Sequence, residues 1–261
     1  IMKMERPRIL IGATVPETVR FFVVDQSAFL ASKGFEVHVV CADSSEFIHK
    51  DSEHLHFHSI AMVRGPRPGR DIAALVRWIQ LIHQVKPSIV MSGTPKAGML
   101  AMVGAFISRS PKRVYLIRGL RFEGLSGNAR RFGEWLERLT CKCATDVICV
   151  SQSLRQQCIA LGISHADRTH VLGRGASNGI DIAYFRPPSS TERSAARHRL
   201  GIPANAVAIG FAGRLTADKG LPQLAQAFHE FSFNSTDAWL VIAGSLDDES
   251  PLDSRILASL N

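Results

Sequence analysis

Short runs of consecutive apolar residues alternate along this chain with longer segments whose apolar positions recur every three or four residues. That alternation marks a parallel sheet built from strand–helix–strand crossovers. Arg8 to Ala13 predicts a strand, Thr18 to Ser32 a helix ended by Gly34, and Phe35 to Ala42 the next strand. His54 to Ile60 reads as a third strand. A helix starting at Asp71 carries Ile72, Leu75, Val76, Ile79 and Ile82 on one face. Pro87 stops it before the buried strand Ser88 to Ser92, because proline cannot continue a helix. Then follow a helix over 96–108, a strand over 113–118, a basic helix from Asn128 to Ala144, the strand Asp146 to Val150, the helix Ser151 to Leu161 and a strand near His170 to Leu172.

Around Phe185 to Ser194 the chain turns proline- and serine-rich, with Pro187 and Pro188 adjacent, as an interdomain connection would be. Beyond it, Val207 to Ala212 predicts a buried strand, Gly220 to Phe231 a helix and Ala238 to Ala243 another strand. The expected organisation is a parallel-sheet domain over residues 1–186, a linker over 187–205 and a partial second domain over 206–261. A complete second domain takes about 100 to 150 residues, so the chain is expected to hold one whole domain and the beginning of another.

Composition narrows the class. Of 261 residues 46% are apolar, 21% charged and 7% aromatic, with a mean hydropathy of +0.06, which excludes disorder and collagen. The longest apolar run, Ala97 to Ile107, lies between Lys96 and Arg109 and is too short to cross a bilayer. Ile9 to Val15 runs into Pro16 and Glu17 without a small-residue cleavage site, so the expected location is cytoplasmic. Five scattered cysteines suit reduced thiols, and Cys141 and Cys143 on a helix would face opposite ways. The net charge of +8 is uneven: from Leu221 onward one Arg stands against six acids, which leaves the first 220 residues at +13. Such a balance attracts phosphates or an anionic membrane. A nucleic-acid partner is not expected, because the basic residues are interleaved with core-forming apolar ones and lack exposed stacking aromatics.

The clearest chemical signal is Gly213-Arg214-Leu215-Thr216-Ala217-Asp218-Lys219-Gly220, set between a strand and a helix. Glycine allows a ligand to approach the backbone, a helix N-terminus offers free N–H groups, and two cations can straddle a diphosphate. The alternative is a solvated turn with surface cations. A second loop, Gly173 to Asp181, follows a strand but misses the dinucleotide-binding spacing. Thr94-Pro95-Lys96 and Arg118-Gly119-Leu120-Arg121 mark two more strand ends, where open parallel sheets bind ligands.

The series Thr94-Pro95-Lys96-Ala97-Gly98, Arg118-Gly119-Leu120, Val150-Ser151, Asn178-Gly179-Ile180-Asp181 with Phe185, and Gly213-Arg214 with Lys219-Gly220 resembles glycosyltransferase family 4 in order and spacing over nearly the whole chain. Within that family it is most similar to the bacterial branch that builds capsule, exopolysaccharide or O-antigen repeats. The resemblance implies an α/β fold of the GT-B type, two Rossmann-like domains with the acceptor mainly on the first and the nucleotide sugar mainly on the second. It implies a nucleotide diphosphate sugar as donor substrate, a lipid-linked or glycan acceptor, and retention of the anomeric configuration. The expected catalytic residues are Arg214, Lys219 and Arg118. Gly213, Gly220, Asn178, Gly179 and Asp181 are expected on the donor side, and Thr94, Pro95, Lys96 and Gly119 in an interdomain cleft. The chain departs from the family pattern at Arg118, where many relatives carry His. It also ends before the family's later pair of glutamates, so the expectation is a truncated enzyme nearly inactive by itself.

Departure of a nucleoside diphosphate concentrates negative charge that metal or fixed cations must stabilise. No Asp-x-Asp occurs in the sequence, so Arg214 and Lys219 are expected to do this without a metal or other cofactor. His54, His56 and His58 would share one face of a strand, as in a metal site or simply on a partly exposed edge. Ser153 and Cys158 have no base at informative spacing, so no nucleophilic triad is expected. The basic helix carries Arg130, Arg131, Arg138 and Lys142 beside Phe132, Trp135, Leu136 and Leu139, as in a core-packed helix with a solvated basic face or in peripheral contact with the inner face of an anionic membrane. The competing functions are a nucleotide-sugar epimerase of the same architecture and a non-catalytic basic binding module.

Overall fold

The computed structural model describes residues 6–63, 65–233 and 237–246. The chain divides into two compact units, Ile1–Gly179 and Ile180–Asn261. The end of the domain read over 206–261 lies outside the described residues.

In the first unit seven parallel strands, β1 (Arg8–Gly12), β2 (Glu36–Cys41), β3 (Leu55–Ser59), β4 (Ile89–Ser92), β5 (Lys112–Ile117), β6 (Asp146–Cys149) and β7 (Thr169–His170), lie in the order 3-2-1-4-5-6-7. Continuous apolar runs such as Ile9-Leu10-Ile11 arise because both faces of this sheet are covered. On one face Ile9, Ile11, Val37 and Val39 pack with Val19, Val23 and Val24. On the other, Leu10, Val40 and Val90 pack with Trp78, Leu100, Ala101 and Met102.

The helices are α1 (Pro16–Thr18), α2 (Val24–Ser32), α3 (Pro68–Val85), α4 (Pro95–Ile107), α5 (Gly127–Cys143) and α6 (Gln152–Ala160). The helix expected over Thr18 to Ser32 is interrupted by a π-helical turn, Val19–Val23, between α1 and α2. In α3 the buried residues are Ala74, Trp78, Leu81, Ile82 and Val85, whereas Ile72 and Val76 are exposed. The apolar stripe expected on Ile72 and Val76 is therefore corrected. The large indole of Trp78, fully buried against a strand whose Gly12 leaves it room, sets the rotation of the helix. All five cysteines are free and buried. On the edge strand β3, burial together with repulsion from His38 and His56 pushes the His58 imidazole down to about 4.

In the second unit, β8 (Val207–Ala212) pairs in parallel with β9 (Ala238–Ala243), and α8 (Leu221–Phe233) lies between them in sequence. The stretch read as a linker contains a helix of its own, α7 (Ser190–Arg199). A capping box closes it: Glu192 N donates to Ser189 Oγ, and Ser189 N donates to Glu192 Oε2. Arg186 grips the same carboxylate at 2.7 Å and, with the cap, holds Glu192 down at about 2.

One polar pair lies within the packing of α5 on the sheet. Tyr115, buried on β5, donates its hydroxyl hydrogen bond to Glu137 Oε1 at 2.9 Å. Burial raises the Glu137 pKa above its ordinary 4.5 despite that hydrogen bond. The folded state thus holds a proton that the unfolded chain releases. The corresponding stability is complete below the ordinary value and is lost as pH rises through the folded one. Glu137→Gln keeps an acceptor for Tyr115 and carries no charge, so urea unfolding of the variant should show equal or higher stability at neutral pH. It should also show a flatter decline from acid to neutral pH, and an unaltered decline would refute the assignment.

Candidate active site

The strand order reverses between β1 and β4, and their carboxyl ends open a crevice there. Thr14, just beyond β1, and Thr94, at the start of α4, meet across it with hydroxyls 2.8 Å apart. Thr14 N donates to Thr94 Oγ1 at 3.0 Å, and Ala97 N, one of the open donors at the start of α4, donates to Thr14 Oγ1 at 3.2 Å. Thr14 thus supplies from another strand the cap that Thr94 does not make itself. Pro95 occupies the first turn, where its missing N–H costs nothing. Gly98 lets the helix sit against the sheet, since a Cβ there would lie 2.4 Å from the Tyr115 ring.

Lys96 does not present an open ammonium to the crevice. Its side chain is 9% exposed, and Nζ donates to Asp71 Oδ2 at 2.5 Å, tying α4 to the first turn of α3. The same carboxylate oxygen accepts from Arg67 N at 3.0 Å.

Arg118, at the end of β5, has a different environment. Nη1 donates to Gly93 O at 3.0 Å, Nε donates to Ser177 Oγ at 2.9 Å, and the guanidinium lies 5.3 Å from the centre of the Phe22 ring. These partners are uncharged. Burial therefore works against its charge and draws its pKa below the usual arginine value. A group so placed gains more from an incoming anion than a solvated arginine would. Phe22 belongs to the π-helical turn, and the neighbouring Phe21 O accepts from Asn178 Nδ2 at 3.1 Å. Gly119 is exposed beside Arg118, with open space where a Cβ would stand. Gly175, at φ +85°, allows the loop after β7 to pass within 2.5 Å of Val150 O as measured from a Cβ. The structure thus brings together Thr94, Pro95, Arg118, Gly119 and Asn178. It adds Thr14, Gly93, Ser177 and Phe22, which the sequence did not single out.

In the second unit, the segment from Gly213 to Gly220 leaves β8, makes a tight turn over Ala217–Lys219 and enters α8. Gly220 takes φ +77°, the left-handed geometry that redirects the chain into the helix. Arg214 and Lys219 are both exposed, and Lys219 Nζ lies 3.7 Å from Asp218 Oδ2. Gly213 N donates to Ala243 O at 3.0 Å, and Leu215 N donates to Ser245 O at 2.9 Å, so the end of β9 carries the loop. Gly244, unnoticed in the sequence, permits this, since a Cβ there would stand 1.9 Å from Gly213 O. Gly179 is exposed, and Asp181 Oδ1 accepts from Ala183 N at 2.9 Å and Tyr184 N at 3.2 Å, which engages it in a local turn.

The family model described as Glycosyltransferase Family 4 matches residues 19–184. The chain is 36% identical over 228 residues to the capsular polysaccharide biosynthesis glycosyltransferase CapM of Staphylococcus aureus, covering 87% of this chain and 59% of that protein. It is 24% identical over 219 residues to the UDP-Gal:alpha-D-GlcNAc-diphosphoundecaprenol alpha-1,3-galactosyltransferase of Escherichia coli, covering 82% of this chain and 55% of that one. The chain thus spans well under two thirds of these curated relatives. Among solved structures it resembles Anabaena Alr3699/HepE in complex with UDP and glucose, with a TM-score of 0.67 and 19% identity over 97% of this chain and 64% of that one.

A Cβ at Gly93 would stand 2.3 Å from Arg118 Nη1 and 3.1 Å from Leu116 Cβ and O, so Gly93→Ala should push the guanidinium out of its cradle at a small cost in packing against β5. The Arg118 Nε–H signal in a nitrogen-15 spectrum should move toward that of a solvated arginine, with the thermal unfolding midpoint little changed. A stationary signal would show that the cradle does not depend on Gly93.

Proposed function

Because the chain belongs to glycosyltransferase family 4, with an α/β fold of the GT-B type, we propose that it transfers a sugar from a nucleotide diphosphate sugar to a lipid-linked or glycan acceptor in cell-surface polysaccharide synthesis. The observation that carries this reading is the 36% identity to CapM across 87% of the chain. The E. coli relative's undecaprenol-linked sugar acceptor supports the acceptor class, and the UDP in the HepE complex supports a uridine nucleotide.

The bond between the anomeric carbon and the diphosphate breaks, the acceptor hydroxyl oxygen bonds to that carbon on the same face, and the acceptor proton is released. The leaving diphosphate gains negative charge as its bond breaks. Arg214 offers a bidentate fork to its oxygens and Lys219 a compact point charge, with Gly213 and Gly220 admitting the phosphates to the backbone. The transfer proceeds without metal. In the first unit the crevice at Thr14 and Thr94 takes the acceptor side, and Arg118 supplies charge to an anionic group there. Asn178, Gly179 and Asp181 shape the donor side, the last by holding its turn. Lys96 acts by positioning α4 through Asp71.

The place of action is the cytoplasmic face of the membrane. Phe132 and Trp135 on α5 are 53% and 54% exposed and stack 5.9 Å apart, an apolar pair available to a lipid interface. Glu134 accepts from Arg130 at 3.1 Å and Arg138 at 3.4 Å, leaving a net positive face with Arg131 and Lys142.

Incubation of the full-length protein with labelled uridine diphosphate sugars and undecaprenyl diphosphate-linked acceptors should give a glycosylated product. Arg214→Ala and Lys219→Ala should each lower turnover about a hundredfold or more with folding intact, the loss typical of a preorganised charge stabiliser. Absence of product across a broad donor panel would overturn the reading, and epimerised nucleotide sugar formed without acceptor would favour the epimerase instead. In flotation, the protein should rise with anionic vesicles, and Phe132→Ser with Trp135→Ser should reduce that fraction severalfold. Equal binding to neutral and anionic vesicles would remove the electrostatic part.

A further inference from the structure

The strand pair β2–β3 carries a side-chain cluster that the crevice does not use. The parallel register sets His38 opposite His56, with ring centroids 4.9 Å apart, on the sheet face that Leu10 shares. Glu36, His38 and His56 each offer one ligand atom, and these atoms all lie within 4.8 Å of one another. His38 is buried, while Glu36 and His56 are half-buried.

The second polar atom of each of these residues is already engaged. Glu36 Oε1 lies 3.0 Å from His38 Nε2, and Arg8 Nε donates to Glu36 Oε2 at 3.4 Å. His38 Nδ1 is 2.9 Å from His58 Nε2, and His56 Nδ1 is 3.5 Å from Asp51 Oδ1. Histidines that bind metal show this pattern, with one ring nitrogen on the ion and the other held by a neighbouring acceptor that fixes tautomer and orientation. His38 Nε2 and Glu36 Oε1 now share a hydrogen bond, and an ion between them would replace that proton, with His56 supplying the third ligand.

We propose that Glu36, His38 and His56 bind one divalent metal ion of the zinc class and so tie the edge strand β3 to β2. Two imidazoles and a carboxylate are a zinc ligand set, with water completing the tetrahedron. Bonds of about 2.0–2.2 Å put tetrahedral ligand atoms about 3.4 Å apart. The half-buried Glu36 and His56 therefore need to swing inward only slightly toward the anchored His38. An edge strand has free backbone groups on one side and gains most from such a strap. Glu36 begins β2, so the site lies toward the amino ends of the strands, away from the carboxyl ends of β1 and β4 that Thr14 and Thr94 follow. The ion thus acts on the stability of the first unit, and the proposed transfer chemistry stays metal-free.

The test is titration of the chelator-stripped protein with cobalt as a spectroscopic probe, followed by displacement with zinc. One equivalent should produce the visible absorption of tetrahedral cobalt, and zinc should abolish it and raise the thermal unfolding midpoint. His56→Gln and Glu36→Gln, both at half-buried positions and checked for fold by circular dichroism, should each weaken binding at least tenfold. Asp51→Asn should weaken it severalfold, and His83→Gln, on exposed α3 surface, should leave it unchanged. Failure of the tetrahedral spectrum at one equivalent, or binding equal to wild type in both His56→Gln and Glu36→Gln, would overturn the proposal.

Discussion

The reversal of strand order between β1 and β4 is the constraint from which the first unit's chemistry follows. Crossovers on either side of that point carry their helices to opposite faces, so nothing fills the gap at the carboxyl ends of the two strands. A polar lining is tolerated there because it satisfies itself across long sequence separations. Thr14 and Thr94 exchange hydrogen bonds, and Thr14 also caps Ala97.

Charge in this region is divided between two kinds of cation. Lys96 is matched by a carboxylate in the same buried setting and contributes to holding α3 and α4 in register. Arg118 is held by a carbonyl, a hydroxyl and an aromatic face, which orient it without neutralising it. Such a charge is costly to maintain away from water and is worth maintaining where an anion is to be bound. Gly93 and the π-helical turn at Val19–Val23 share one rationale, since one clears space for the guanidinium and the other delivers Phe22 to its face.

The β3 edge of the same sheet shows a further consequence of parallel register. Residues paired across β2 and β3 point the same way, so alternate polar positions on both strands accumulate into one cluster of Glu36, His38, His56 and His58. Apolar cover from Leu10 and Val40 lies alongside, and that is why these imidazoles are drawn out of water.

The sequence by itself determined the order and kind of nearly every element, because strand and helix periods are local properties of the chain. The bounds of β8 and β9 match their apolar runs, although β8, expected to be buried, is largely exposed, and the glycosyltransferase motifs mark the family in the sequence. The capping box at Ser189 and Glu192 was legible as Ser-x-x-Glu but hidden among prolines and serines that read as linker. Tertiary structure decided the rest. The rotation of α3 depends on where the Trp78 ring fits, the pairing of Lys96 depends on Asp71 in a different helix, and the partner of His56 comes from a separate strand. Each is a contact between residues far apart in sequence. Local pattern carries no record of such contacts, because crossover handedness, strand register and side-chain volume jointly choose which distant residues meet.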